Sequence, residues 1–534
     1  MMDKNIASID GPETKLRVGF IVDSEFASKH VYELAEWAQS QGTLSISHLI
    51  IQNTGIAGEE AIGNTVESHG TKGLLDSIRL KLFALITKID NLRIRNDKNY
   101  KDHLKLFDLK TIVHESVTIA PIASKTGFIY EYSAEDIRKV KSLGLDVLIQ
   151  FGSGILHGDI LKSARFGVLS ILNTDDRIKR GGPPGFWEVY FKQDSTGFSI
   201  QQLTDTPGAG SVLIRGRFQT KAYFLLNQAA LYAKSYFYLK RILSDLAVTR
   251  ALPVSADSLP YFNPPFKAPN LLQQMKYLSY LGYKIAWNAI GRVRSRRDCR
   301  WSVAYMKSDW KTLAMWNAVK IRNPPNHFLA DPFVIREGDR DYCFLEDLDY
   351  ESFRGSISVY ELKDQGAEKL GNALVEPFHL SFPYLFRFDS KLYMCPETSE
   401  NNDIRVYECV KFPLEWKLHK SLMSNVSAVD TMIFERDGLW WLFTNIDPTN
   451  TGNHFSELFI FYADNPLSGT WHPHPQNPVL IDSANGRNAG IVFDDKWVYR
   501  VSQRQGFNTY GKGFSVNRIT VLSIARLSRI SFQI

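Results

Sequence analysis

Apolar and polar residues alternate along this chain with two different periods, and the change falls near residue 300. Before it, short apolar runs are separated by stretches with helical spacing. Residues 15–22 (KLRVGFIV) read as a buried strand, 27–41 as a helix and 44–52 as a second strand, the β-α-β opening of a parallel, doubly wound sheet. The alternation resumes with a helix over 134–143, the strand DVLIQF at 146–151, a helix over 155–164 and the strand GVLSILN at 167–173. No G-x-G-x-x-G follows the first strand, so a dinucleotide fingerprint is absent. Between these pieces, residues 72–95 carry Leu74, Leu75, Ile78, Leu82, Leu85, Ile86, Ile89 and Leu92 at helical spacing with basic residues between them. That pattern suits a helix packed on a core or partner, or one lying on a membrane surface.

Beyond residue 300 the period is two. Residues 331–346 read DPFVIREGDRDYCFLE, and the plan recurs without a gap at 382–397 (FPYLFRFDSKLYMCPE), 430–445 (DTMIFERDGLWWLFTN) and 488–503 (NAGIVFDDKWVYRVSQ). Each copy has an apolar run, a polar turn and a second apolar run that ends on a carboxylate or amide, which is a hairpin pattern. The copies start roughly fifty residues apart, room for about four short strands each, and further strand candidates lie at 357–362, 404–410 and 458–462. An all-β period of that size predicts propeller blades. Strand-like runs at 301–305 and 518–525 suggest a fifth blade assembled from both ends, which closes the ring. The predicted fold is therefore multidomain α/β plus all-β: a Rossmann-like domain at 1–218, a helical linker at 219–298 and a five-bladed β-propeller at 299–534.

Composition changes this picture little. A chain of 534 residues exceeds what one core serves, and 44% hydrophobic with 22% charged residues is globular. The net charge of +6 is too mild to argue for nucleic acid, and no nucleic-acid-binding motif accompanies it. Four cysteines without a C-x-x-C pair point to a reducing compartment. With no apolar leader or spanning run, a cytoplasmic location is expected. The helical stretch at 270–297 interleaves Met275, Tyr277, Leu278, Leu281, Tyr283, Ile285 and Trp287 with lysines and runs into Arg292, Arg294, Arg296 and Arg297. Two readings stand for it, a bridge between domains and a peripheral membrane contact.

Residues 145–215 resemble the N-terminal domain of the formyltransferases that use 10-formyltetrahydrofolate, through DVLIQF, ILHGDIL, the strand ending in Asn173, RGGPPGFW at 180–187 and TGFSIQQL at 196–203. The resemblance implies a Rossmann-like fold, 10-formyltetrahydrofolate as cofactor, and an Asn-x-His motif with a later Asp that together stabilise an oxyanion and handle the amine proton. Here Asn173 matches the Asn, but Asp175 stands at the His position. The later Asp falls on Gly208, or on Asp205 if a gap is allowed. A carboxylate at 175 repels a developing oxyanion, so an altered site is expected, with Asn173 and Asp175 as its candidates.

The repeat region resembles the N-terminal domain of glucosamine inositolphosphorylceramide transferase proteins, itself similar to five-bladed propeller glycoside hydrolases, through ADPF, LSFPYLF, CPE, FPLEW, HPHPQNPV and RNAG. That resemblance implies a carbohydrate ligand: a sugar nucleotide, glycan or glycolipid of surface polysaccharide or glycolipid assembly. Strand starts rim the axis of a propeller, so Asp331, Ser381, Asp430 and Arg487 are expected there. Asp331, Asp430 and Glu397 are the acid–base candidates and Ser381, His379, Arg487, Arg500 and Gln503 the sugar contacts. Glu346 and Glu397 end their hairpins, which reads as a position farther from the axis. No metal-ligand spacing stands out. Two function classes remain, a transferase or glycosidase acting at one of these sites and a glycan-binding scaffold.

Overall fold

The computed structural model describes residues 15–54, 74–95, 97–125, 127–173, 182–206, 210–256, 267–293, 301–312, 315–449, 451–467, 470–525 and 527–533. Contacts divide the chain into two compact units, 1–282 and 283–534.

The first unit is a mixed α/β domain. Strands β1 (Leu16–Val22), β2 (Leu44–Gln52), β3 (Ser116–Ile119), β4 (Val147–Gln150), β5 (Val168–Leu172), β6 (Ser195–Gln202) and β7 (Ser211–Gln219) form one sheet in the order β7-β6-β5-β4-β1-β2-β3. The five strands from β5 to β3 are parallel, and β6 and β7 are antiparallel additions at one edge. The central strands β1 and β4 are buried almost throughout, as expected of parallel strands covered on both faces. Helices α1 (Lys29–Ser40), α2 (Leu74–Ile94), α3 (Ala134–Ser142) and α4 (Phe186–Tyr190) follow in the connections. The helix expected over 155–164 is instead a two-residue strand and a 3-10 turn. Gly154 and Gly158, both with left-handed φ, interrupt the backbone there.

Helix α5 (Phe224–Thr249), expected as part of a linker, packs into the first unit against β6, α1, α2 and α4. It is buried over most of its circumference. Asn227, fully buried on α5, donates to the Gly185 carbonyl and the Thr196 hydroxyl, both at 2.9 Å. A helix apolar on most sides is a core element. Helix α6 (Leu271–Val293) spans the division between the units. The arginines at 294, 296 and 297 lie outside the described residues.

The second unit is all β. Four consecutive four-stranded antiparallel meanders follow one another. The first contains β8 (His327–Glu337), β9 (Arg340–Asp349), β10 (Arg354–Leu362) and β11 (Ala367–Leu374), and the second β12 (Ser381–Phe388), β13 (Lys391–Glu397), β14 (Asp403–Lys411) and β15 (Glu415–Ser424). In the third, β16 (Ala428–Arg436), β17 (Leu439–Ile446) and β18 (Glu457–Ala463) are completed by β19 (His472–Pro473), with a short strand at Leu480–Ile481 also on β18. The fourth contains β20 (Asn488–Phe493), β21 (Val498–Gly506), β22 (Thr509–Leu522) and β23 (Leu527–Gln533). First strands pack on the first strands of the next meander, with an aromatic core of Phe382, Tyr384, Phe434, Trp441 and Phe443 between the second and third.

The fifth element differs from expectation. Residues 518–522 of the 518–525 run belong to β22, which pairs with β21 and β23 inside the fourth meander. A local antiparallel partner needs far less loop closure than one two hundred residues away. Residues 305–311 lie against both ends of the series. Lys311 Nζ is 2.9 Å from Asp494, and Trp310 meets Tyr499 edge-on at 5.0 Å, both on the fourth meander. Lys307 Nζ is 3.0 Å from Asp364, and the Tyr305 hydroxyl reaches the Gly366 carbonyl at 2.5 Å, both on the first.

Candidate active site

The first strand of each meander carries the same irregularity. Strand pairing slips between Ala330 and Phe333, between Ser381 and Tyr384, and between Val429 and Met432. At each slip one non-glycine residue is left-handed: Asp331 (φ 48°), Phe382 (46°) and Asp430 (51°). A bulge re-aims a side chain out of the ladder, and Asp tolerates left-handed φ better than most residues. In the fourth meander the slip falls between Asn488 and Gly490, and glycine takes the positive φ.

An antiparallel hairpin returns to its own start, so the residues that end the second strands come back to these bulges. Glu346 pairs with Ala330 and Glu397 with Ser381. Asp331 and Glu346 from the first meander, Glu397 from the second, Asp430 from the third and Arg487 at the head of the fourth thereby converge and act electrostatically on one another. Arg487 grips Asp430 with a fork, Nε–Oδ2 at 2.6 Å and Nη2–Oδ1 at 3.3 Å. Its guanidinium also faces the rings of Phe455 and Tyr510, at 5.4 and 5.2 Å. Asp331 accepts a hydrogen bond from the Phe382 N–H, Asp430 shares one with Glu397, and Tyr510 shares one with Gln503.

On the other side of Glu346 stands His379, Nε2 to Oε1 at 3.4 Å. The Gly355 N–H donates to His379 Nδ1 at 3.0 Å, so the ring proton is on Nε2 and faces Glu346. Burial lowers the His379 pKa and keeps the ring neutral. At Gly355 a Cβ would sit 2.4 Å from the Leu380 carbonyl, so only glycine permits this approach.

Protonation in the cluster is displaced. Burial, then the Asp430 charge, pushes Asp331 up to about 7 against the pull of Arg487. Glu346 is raised well above the usual carboxylate range by burial first, then by Asp331, Glu397 and Asp430. Burial raises Asp430 too, to about 7, but the fork from Arg487 favours its ionised form, while burial favours the proton on Glu346 and on Asp331. Arg487, although burial opposes its charge, is held cationic by Asp430, Tyr510 and Glu397. Asp331 keeps partial solvent access although it is densely surrounded by protein. A neutral buried acid beside a carboxyl group poised near neutrality has the makings of a proton donor and a base.

The repeat region matches a known family. Residues 310–534 fit the model described as "Glucosamine inositolphosphorylceramide transferase 1, N-terminal". The Arabidopsis thaliana protein named glucosamine inositolphosphorylceramide transferase 1 is 41% identical over 205 residues, covering 37% of this chain and 26% of that protein. Its namesake from Oryza sativa subsp. japonica is 38% identical over 205 residues, covering 37% and 27%. The chain thus spans about a quarter of the length of these relatives. Among solved structures, the family 117 glycoside hydrolase Zg3597 of Zobellia galactanivorans is 12% identical with a TM-score of 0.31, covering 43% of this chain and 73% of its own. The Bombyx mori GH32 β-fructofuranosidase BmSUC1 is 12% identical with a TM-score of 0.32, covering 40% and 52%. The formyltransferase resemblance of the first unit gains no support from these matches.

Of the residues singled out in the sequence, Asp331, Asp430, Glu397 and Arg487 meet in one place, with His379 and Gln503 at its margin. Ser381 is buried beside Phe382 and pairs with Glu397 across the ladder. The bulge position in that strand is Phe382. Arg500 is not part of the cluster: it is buried and donates to the Asn485 and Gly486 carbonyls and to Asn488 Oδ1, tying down the turn before β20. Glu346 and Glu397 correct the expectation that hairpin ends lie far out, because antiparallel pairing folds distance along the strand back to zero. Tyr510 and Phe455 carry no signal in the repeat and were missed.

In the first unit, Asn173 follows β5 and its Oδ1 is buried without a hydrogen bond. Asp175 and Gly208 lie outside the described residues. Asp205 is exposed and 3.7 Å from Lys162 Nζ. It follows β6, whose end pairs with Leu169 at the start of β5, the opposite end from Asn173. The described residues therefore do not assemble the trio that 10-formyltetrahydrofolate chemistry needs.

Proposed function

We propose that the second unit is a five-bladed propeller that binds the sugar of a glycolipid or glycan over the Asp331–Arg487 cluster and acts on its glycosidic bond by acid–base chemistry, in glycolipid or surface polysaccharide assembly. The carrying observation is the delivery of four carboxyl groups and one arginine, from four successive meanders, to one place, with the protonation of Asp331, Glu346 and Asp430 displaced. The placement of residues 301–320 between the last meander and the first supports five blades. In this reading Glu346, neutral and backed by His379, protonates the leaving oxygen, while Asp331 serves as base once ionised. Arg487 and ionised Asp430 orient sugar hydroxyls or a phosphate. The glycolipid assignment is supported by the relatives named glucosamine inositolphosphorylceramide transferase 1; a sugar nucleotide as donor belongs to the same proposal.

Calorimetric titration with amino sugars and glycolipid headgroups, beside an assay for sugar release or transfer from a labelled glycolipid, tests it. Glu346→Gln and Asp331→Asn should each cut turnover by roughly a hundredfold or more, with a smaller but measurable weakening of sugar binding. Unaltered turnover in both variants would sink the acid–base assignment. A second reading, glycan binding without turnover, is favoured by the Arg487–Asp430 fork, which engages one of the carboxylates internally. Tight binding with no turnover of any substrate in wild type selects it. For the first unit we propose a formyltransferase-like scaffold with an altered site that performs no formyl transfer.

A further inference from the structure

Helix α2 carries one face that nothing in the proposed function uses. Its inner side is fixed: Ile86, Asp90 and Ile94 are buried, and Asp90 Oδ2 accepts from the Tyr277 hydroxyl at 2.9 Å and from the Leu225 N–H at 3.3 Å. That buried carboxylate holds the helix in one rotational setting. The opposite side is a regular stripe. Ile78, Leu85 and Leu92 repeat every seventh residue and stay 44, 47 and 54% exposed. Lys81, Lys88 and Arg95 repeat at the same interval, are also exposed, and fall between them on the same side. Arg95 continues the last turn, its N–H bonded to the Asn91 carbonyl at 3.0 Å. Leu74 and Leu75 extend the apolar positions at the first turn, where the exposed acid, Asp76, is paired with Arg79 at 3.5 Å.

We infer that this face of α2 docks the protein on an anionic lipid surface. From Ile78 to Leu92 the stripe is about 21 Å long at 1.5 Å per residue. Apolar side chains enter the boundary between headgroups and acyl chains, and the three cations meet lipid phosphates and carboxylates. Charge decides between occupants. A second copy of this chain would set Lys81, Lys88 and Arg95 against the same cations across a two-fold axis, which opposes pairing. Crossing the bilayer is a separate matter, for among the described residues no helix is long and apolar enough to do so. Helix α6 also exposes aromatics, Tyr283 and Trp287, and a Trp287 variant separates that surface from the face of α2. The inference rests on α2 alone and stands whether or not the second unit turns over a sugar.

The test is co-sedimentation of the full chain with phosphatidylcholine vesicles, plain or containing about one third phosphatidylserine. Binding is expected only to the anionic vesicles and should weaken as salt is raised. The triple variant Lys81→Gln/Lys88→Gln/Arg95→Gln should lose roughly a hundredfold in vesicle affinity, about fivefold per charge, with an unchanged melting temperature. Leu85→Gln/Leu92→Gln should weaken binding at high and low salt alike. Equal binding to neutral vesicles, unchanged binding by the triple variant, or loss of binding in Trp287→Gln alone would overturn the assignment. So would a wild-type dimer, seen by light scattering, that the triple variant dissociates.

Discussion

Asp331 sits where three demands meet: a left-handed backbone, burial, and a neighbouring carboxylate. Its pKa of about 7 in the fold, against an ordinary value near 4, makes it a group whose ionisation costs stability. The folded state holds the proton longer than the unfolded state, so between about pH 4 and 7 stability falls as pH rises, and above 7 the loss is complete. Asp331→Asn removes this loss while its amide oxygen still accepts from the Phe382 N–H. The variant should match wild type near pH 4 and exceed it near pH 8 by roughly 1–3 kcal/mol, read from urea unfolding at both pH values. A constant difference across that range would place the titrating proton elsewhere. Arg487 has the opposite role. Arg487→Met strands a buried Asp430 carboxylate and should cost roughly 3–5 kcal/mol, whereas Arg487→Lys keeps the charge, loses the fork and should cost less. Equal melting of the two variants would mean that the fork contributes nothing beyond charge.

At the scale of elements, what could be read in the sequence was what is local. Alternation in 331–346 and its three copies is a property of consecutive residues, and all four hairpins are present at those positions. The bulges are not local. The left-handed φ of Phe382, a fully buried aromatic, is imposed by a ladder slip against β13 and has no sequence cue. Strand alternation alone therefore points to Ser381, one residue out of register with the bulge at Phe382. Distance along the strand puts Glu346 far from the axis, whereas pairing across the hairpin returns it to Ala330. The tying role of Asn445, which accepts from the Asn488 N–H at 2.8 Å, also depends on pairing between meanders. Closure was misread because a strand-like run names a strand but not its partner. The two ends of the repeat region should accordingly differ in what they support. Truncation after residue 526 removes β23 and bares β22 as a long edge, so aggregation should rise while the cluster, built from the bulges of first strands and the ends of second strands, still binds ligand. Starting the unit at residue 321 instead of 301 removes the residues lying between the last meander and the first, and binding should be lost. Retention of binding in the second truncation would show that the four meanders hold the cluster unaided.

At the scale of the molecule, each unit has its own core: buried Ile21, Ile50, Leu148 and Val168 in the first, and Phe382, Met432, Trp441 and Phe443 in the second. All the groups with converging carboxyl chemistry belong to the second unit. A ligand that binds one folded unit stabilises that unit by mass action, about 2.7 kcal/mol at a hundred times its dissociation constant. For a unit of this size that corresponds to a rise of roughly 5–10 °C in its melting temperature. Calorimetry of the full chain should show two transitions, with a sugar ligand shifting only the one reproduced by residues 301–534 expressed alone. 10-Formyltetrahydrofolate should shift neither, because Asp205 is turned to Lys162 and solvent instead of toward Asn173. The Asp331→Asn variant separates the causes. If the sugar acts at the cluster, the variant changes the size of the shift in the second transition and leaves the first unmoved. A folate-induced rise in the first transition would restore a working cofactor site to the first unit. A sugar-induced shift that ignores both Asp331→Asn and Glu346→Gln would remove the cluster as the place where sugar binds.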